Sequence, residues 1–114
     1  MNVMSFTQNG TTTICLDGEL DHHAAKVVLA RIIQVLDIES PHSLILDLNA
    51  LNFMDSSGIA VVLQTHRRIK SSNGAFSVIN VPSHAFRIFR AAGLTNIISM
   101  NERPARTERR IQIR

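Results

Sequence analysis

The chain begins with two stretches of β character, residues 2–8 and 11–17, on either side of Asn9-Gly10. An Asn-Gly pair suits the left-handed central positions of a tight hairpin turn, and Thr11, Thr12, Thr13 and Ile14 add the branched side chains that pack well on a pleated surface. The period then changes. Ala25, Val28, Leu29, Ile32 and Leu36 recur at helical spacing, so residues 22–38 are expected to form a helix with that stripe inward and Lys26, Arg31 and Gln34 away from it. Pro41 stops the helix, because the residue before a proline is pushed out of the α region. Ser43-Leu44-Ile45-Leu46-Asp47-Leu48 is a short apolar run, the pattern of a strand buried on both faces. Residues 57–71 read as a second helix with Ile59, Val62, Leu63 and Ile69 inward, ended at Asn73-Gly74. A buried strand is expected at 75–80, a third helix from Pro82 with Ala85, Phe86 and Phe89 inward and Gly93 closing it, and a last strand at 96–100. This alternation predicts a single α/β domain with a mixed four- to five-stranded sheet, some of it parallel, and three to four helices.

Composition agrees with one compact core. A chain of 114 residues that is 45% hydrophobic needs no staples. With no Trp or Tyr and five Phe, that core must be aliphatic. The net charge of +3 resides entirely in residues 101–114, which carry five arginines against two glutamates. Residues 1–100 are therefore expected as a neutral folded body and 101–114 as a basic tail or terminal helix. The tail reads either as a solvated end or as a contact for nucleic acid or an acidic partner. A neutral body argues against the domain itself binding nucleic acid. The lone Cys15 excludes an internal disulfide and sits in an apolar alternation, as a small buried hydrophobe does. The N-terminus lacks a basic region and an apolar run of signal-peptide length, and no segment is long enough to span a membrane, so a cytoplasmic location is expected.

Candidate chemistry concentrates in Asn52-Phe53-Met54-Asp55-Ser56-Ser57-Gly58-Ile59. Asp55 or Ser56 can cap the helix that follows, a role that needs no further function. Yet the serines also stand beyond a central strand, where α/β sheets place their sites. A phosphate on Ser56 would bring about −1.5 to −2 charges to the positive end of a helix, beside Asp55. Val61 falls opposite the inner stripe, near Gln64, Thr65 and Arg68, and is either a scattered exposure or a docking contact. Other sites are weaker. His22 and His23 point about 100° apart on a helix and cannot readily share a metal with Asp21, so neither metal nor cofactor is implied. Asp21 is better read as a helix-start acceptor, and His66 as a satisfied, partly buried histidine. The surroundings of Ser56 are not Gly-x-Ser-x-Gly and the chain is short for a substrate pocket, so no enzyme is expected.

Asp55-Ser56-Ser57-Gly58-Ile59, preceded by Leu46-Asp47-Leu48 and Phe53-Met54, resembles the STAS domain family of anti-sigma-factor antagonists. Gly18-Glu19-Leu20-Asp21-His22-His23 is similar to the sporulation, SpoIIAA-like branch, and Asn80-Val81-Pro82 through Ala92-Gly93-Leu94 fits the family's third helix region. The resemblance, over about residues 3–100, implies a STAS fold and makes Ser56 the phosphoacceptor. It implies an anti-sigma factor with serine kinase activity as partner, a serine phosphatase that reverses the modification, and a sigma factor freed when the unphosphorylated form binds the kinase. It assigns Asp21 to kinase docking. The start of the second helix, with Asp55, Ser56, Ser57, Gly58, Ala60 and Val61, would be the surface that docks. Two alternatives stay open: a STAS adaptor that does not switch, in a transporter or stress-signalling complex, and a nucleic-acid binder acting through residues 103–114.

Overall fold

A computed structural model describes residues 1–104, so the arginine-rich segment expected as a tail lies, from residue 105 on, outside the described residues. Strand β1 (Asn2–Gln8) and strand β2 (Thr11–Leu20) form the hairpin, helix α1 (His22–Glu39) follows, then strands β3 (Ser43–Asp47) and β4 (Leu51–Met54). Helix α2 (Ser57–Ser71), strand β5 (Ala75–Val81), helix α3 (Ser83–Ala91), a 3-10 turn at Leu94–Asn96 and strand β6 (Ser99–Glu102) complete the domain. The expected α/β architecture is present, with a mixed sheet of six strands rather than four or five. Asn9 and Gly10 both adopt the left-handed φ that the Asn-Gly turn requires, at 53° and 81°.

The sheet order is β1-β2-β3-β5-β6, antiparallel between β1 and β2 and parallel beyond. Its register aligns Ile14 with Leu46 and Leu46 with Val78, and likewise Thr12, Leu44 and Phe76. These side chains form one apolar face, and Val28, Ile32 and Leu36 of α1 pack on it together with Val61, Val62 and Ile69 of α2. Phe89 and Ala85 of α3 close the core. The opposite face carries Met4, Phe6, Thr13, Cys15, Ile45 and Ile79, none of them buried. Strand β3 is therefore buried on one side only: Leu44 and Leu46 are inaccessible, while Ser43, Ile45 and Asp47 are half-buried. An apolar run of five residues cannot distinguish one covered face from two when its outward residues are themselves partly shielded by neighbouring strands. Cys15 lies half-buried on this open face. Partial burial, and then the charge of Asp47, push its thiol pKa up, which favours the protonated thiol over the nucleophilic thiolate.

Two elements differ from expectation in ways that build the site. Strand β2 runs on to Leu20, three residues past the expected end, and changes partner on the way. Residues Thr11 to Cys15 pair with β3, whereas Gly18 to Leu20 pair with β4, also in parallel. The change occurs at Gly18, whose φ of 126° is open only to glycine and whose N–H donates to the Ala50 carbonyl at 3.2 Å. Strand β4 was not expected, because only its two ends, Leu51 and Met54, face the core while Asn52 and Phe53 are exposed, so no alternation marks it. The final strand is displaced to Ser99–Glu102, since Asn96 belongs to the 3-10 turn after Gly93.

A side chain at position 18 would force a conformation that costs about 1–3 kcal/mol, and its Cβ would also press on the Met1 backbone at 3.3 Å. Gly18→Ala is expected to lower the unfolding free energy by that amount, seen by far-UV circular dichroism as a lower urea midpoint with an unchanged slope.

Candidate functional site

The exchange of partners along β2 brings together two segments that are distant in sequence. Leu20 pairs with Met54, and one residue further the Asp55 N–H donates to the Leu20 carbonyl at 3.3 Å. Asp55 thus stands between the first residues of α1 and α2. Its Oδ2 accepts the His22 N–H at 3.2 Å, and its Oδ1 accepts the Ser57 N–H at 2.8 Å. One carboxylate satisfies an orphan amide at each of two helix starts and lies at the positive end of both dipoles. The carboxyl pKa is accordingly held below its ordinary 3.8, first by the Ser57 N–H, with the Ser57 hydroxyl and then His22 adding to it against an opposing burial effect. Of the two possible caps of α2, the structure chooses Asp55. The Ser56 hydroxyl makes no capping hydrogen bond and the residue is exposed.

That division of labour distinguishes the two serines. Ser57 is half-buried and leans on Asp55, while Ser56 is exposed and its hydroxyl has no hydrogen-bond partner among the described residues. The first-turn amides are already occupied: Ser57 N–H by Asp55 Oδ1, Gly58 N–H by the Asp55 carbonyl at 3.1 Å and Ile59 N–H by the Ser56 carbonyl at 3.1 Å. A phosphate on Ser56 would feel the helix dipole yet would have to displace a partner to gain these donors.

The other expected site residues divide. Asp21 caps α1, its Oδ1 accepting the Ala24 N–H at 2.9 Å, and remains half-buried at the edge of the same surface. Ala60 is exposed. Val61, expected on the outer face as a scattered exposure or a docking contact, is instead 2% accessible and belongs to the core. The inward stripe of α2 is Gly58, Val61, Val62, Thr65 and Ile69, with Ile59 only half-buried, so the helix is turned from the expected orientation. Gly58 and Thr65 cause this. A Cβ on Gly58 would overlap the buried Met54 side chain, so its absence lets α2 press against β4. Thr65 is fully buried because its hydroxyl donates to the Val61 carbonyl at 2.7 Å. Counting only strongly apolar residues misses a face built this way. Gly58 accordingly contributes by packing under the surface rather than by exposure on it. His66 is partly buried as expected but not satisfied, since its Nδ1 has no partner among the described residues.

One contact beside the motif carries no signal in the sequence. Phe53 is 46% exposed on β4, and its ring stacks on His84 of α3 with centroids 6.4 Å apart. Only the unrecognised strand could have indicated that Phe53 faces outward.

Comparison with known proteins accords with this geometry. Residues 2–109 match the STAS domain family, and the chain belongs to it. The chain is 33% identical over 101 residues to an anti-sigma F factor antagonist of Paenibacillus polymyxa, covering 87% of this chain and 86% of that protein. Among solved structures it resembles the anti-sigma factor antagonist SpoIIAA in its unphosphorylated form, with a TM-score of 0.74 at 28% identity over 88% of each chain. It also resembles the Bacillus cell fate determinant SpoIIAA in its phosphorylated form, with a TM-score of 0.68 at 28% identity over 88% of this chain and 91% of that one.

Because the Asp55 pKa is depressed on folding, its contribution is complete above pH 3.8 and is lost as pH falls through the lower folded value. Acid titration followed by amide hydrogen exchange should therefore open the His22 and Ser57 amides below pH 3.8, and Asp55→Asn should abolish that pH dependence. Gly58→Ala gains about 1 kcal/mol of helix propensity but overpacks Met54 at about 1–3 kcal/mol, so a net loss in denaturant stability is expected. In a Met54→Ala background the same substitution should become neutral or stabilising.

Proposed function

We propose that this STAS-domain chain is an anti-sigma-factor antagonist that docks, with Ser56 unmodified, on an anti-sigma factor with serine kinase activity and so frees a sigma factor. Phosphorylation of Ser56 by that kinase switches the antagonist off, and a serine phosphatase restores it, all in the cytoplasm. The reading is carried by Ser56 itself, an exposed serine whose hydroxyl makes no cap, at a helix start already capped by its neighbour. The antagonist relatives and SpoIIAA, solved with and without phosphate, support it.

The docking surface in this reading comprises Asp21, Asp55, Ser56, Ser57 and Ala60, with Gly58 holding the helix start in place from beneath. The chain is the substrate of its partner's catalysis and carries none of its own. Charge does the switching. A phosphate of about −1.5 to −2 charges set beside the Asp55 carboxylate must be desolvated to enter an interface, at a cost of several kcal/mol per ion without compensating partners. No refolding is required, because the first-turn donors that could draw the phosphate inward are taken.

Ser56→Ala should bind the cognate kinase as wild type does, while Ser56→Asp should bind at least roughly tenfold more weakly, about 1.4 kcal/mol, in titration calorimetry with ADP present. Equal affinity of the two variants would remove charge as the mechanism.

A further inference from the structure

The outer edge of β1 is a free sheet edge whose hydrogen-bonding phase can be read from the hairpin. In a two-residue turn with positive φ at both Asn9 and Gly10, the closing pair Gln8–Thr11 exchanges backbone hydrogen bonds. Alternation along the antiparallel register then directs the N–H and C=O of Asn2, Met4, Phe6 and Gln8 toward β2, and those of Val3, Ser5 and Thr7 outward. Among the described residues no strand pairs with that edge. Edge strands usually carry a charge, a proline or a bulge that discourages pairing. Asn2-Val3-Met4-Ser5-Phe6-Thr7-Gln8 has no charged residue and no proline, and its register to β2 is unbroken.

We propose that this edge is a self-pairing surface on which a second copy of the chain adds its own β1, antiparallel, about a two-fold axis at Ser5. The outward phase fixes the choice of register. Facing residues must both point outward, and pairing Ser5 with Ser5 and Val3 with Thr7 uses every free group on both edges while overlapping the full strand. The same register sets Met4 of one copy against Phe6 of the other, twice, at the closely spaced positions of the ladder. Both side chains stand on the open face, 62% and 60% exposed, and a thioether against an aromatic ring is a favourable contact. An uncharged strand meets its own copy without repulsion. One added strand pair buries less than the roughly 800 Å² per partner of a standard interface, so the dimer is weak and reversible. The edge lies across β2 from β4, which leaves both copies of Ser56 open, and the inference does not rest on the switching role.

Sedimentation velocity of the full chain between about 10 µM and about 1 mM tests it. The wild type should pass from 12.7 kDa toward twice that mass. Ser5→Pro removes only an outward N–H and a proline is tolerated there, so it should keep its far-UV spectrum and stay monomeric throughout. Met4→Lys with Phe6→Lys, both at exposed positions, should also stay monomeric and decides the matter if the proline variant does not fold. A wild type that remains monomeric at the highest concentration would overturn the proposal. So would a dimer that survives both variants, or one that the lysines dissolve while a folded Ser5→Pro leaves it intact, which would place the contact on the sheet face.

Discussion

The arrangement of the site depends on one strand serving two partners in succession. Strand β2 pairs with β3 along its first half and with β4 beyond Gly18, and both partners lie along the same edge. Between them the chain turns at Leu48–Ala50, held by the Leu51 N–H to the Leu48 carbonyl and by the Asp47 carboxylate, which accepts both the Asn49 N–H at 2.9 Å and the Asn80 side-chain amide at 3.2 Å. Without the left-handed φ at Gly18, β2 could not re-form a ladder with β4 after that interruption. The ladder aligns Leu20 with Met54, and thereby sets the start of α1 beside the start of α2.

Two helix starts side by side create an electrostatic problem, since their positive ends repel and their amides lack partners. Asp55 resolves both with one carboxylate, and in doing so relieves Ser56 of capping. This gives the proposed phosphorylation site two properties that rarely coincide. The backbone around it is rigid, tied to Leu20, His22, Ser57 and Gly58. The hydroxyl itself has no partner among the described residues. A phosphate added there changes the charge of a surface without changing the support beneath it, which suits a switch read by a partner's docking.

Most of the fold was legible because its elements carry one period each. Helix α1 buries Val28, Ile32 and Leu36 of its expected stripe, with Ala25 and Leu29 half-buried against the core, and Asn9-Gly10 made the turn its residues demand. Legibility failed where a residue's burial is decided by something other than its apolarity. Strand β4 buries only its ends because the ladder shifts beside it, so no alternation marks it. Helix α2 buries Gly58 and Thr65, one for lack of a side chain and the other because its hydroxyl finds a carbonyl, and that turned Val61 from a supposed surface residue into a core one. The segments that make the site were visible as motifs, Gly18–Asp21 and Asn52–Ile59. Their contact through Asp55 was not, because it is a tertiary consequence of a strand the pattern did not reveal.

In the proposed switch Ser56, and not Ser57, is the residue on which a charge decides docking. Incubation of the intact chain with ATP and its cognate anti-sigma kinase, followed by peptide mass spectrometry and a binding measurement on the same sample, tests this most directly. One phosphate on Ser56 together with loss of kinase binding is the predicted result. Phosphate on Ser57 alone, or a fully Ser56-phosphorylated chain that binds as before, would contradict it.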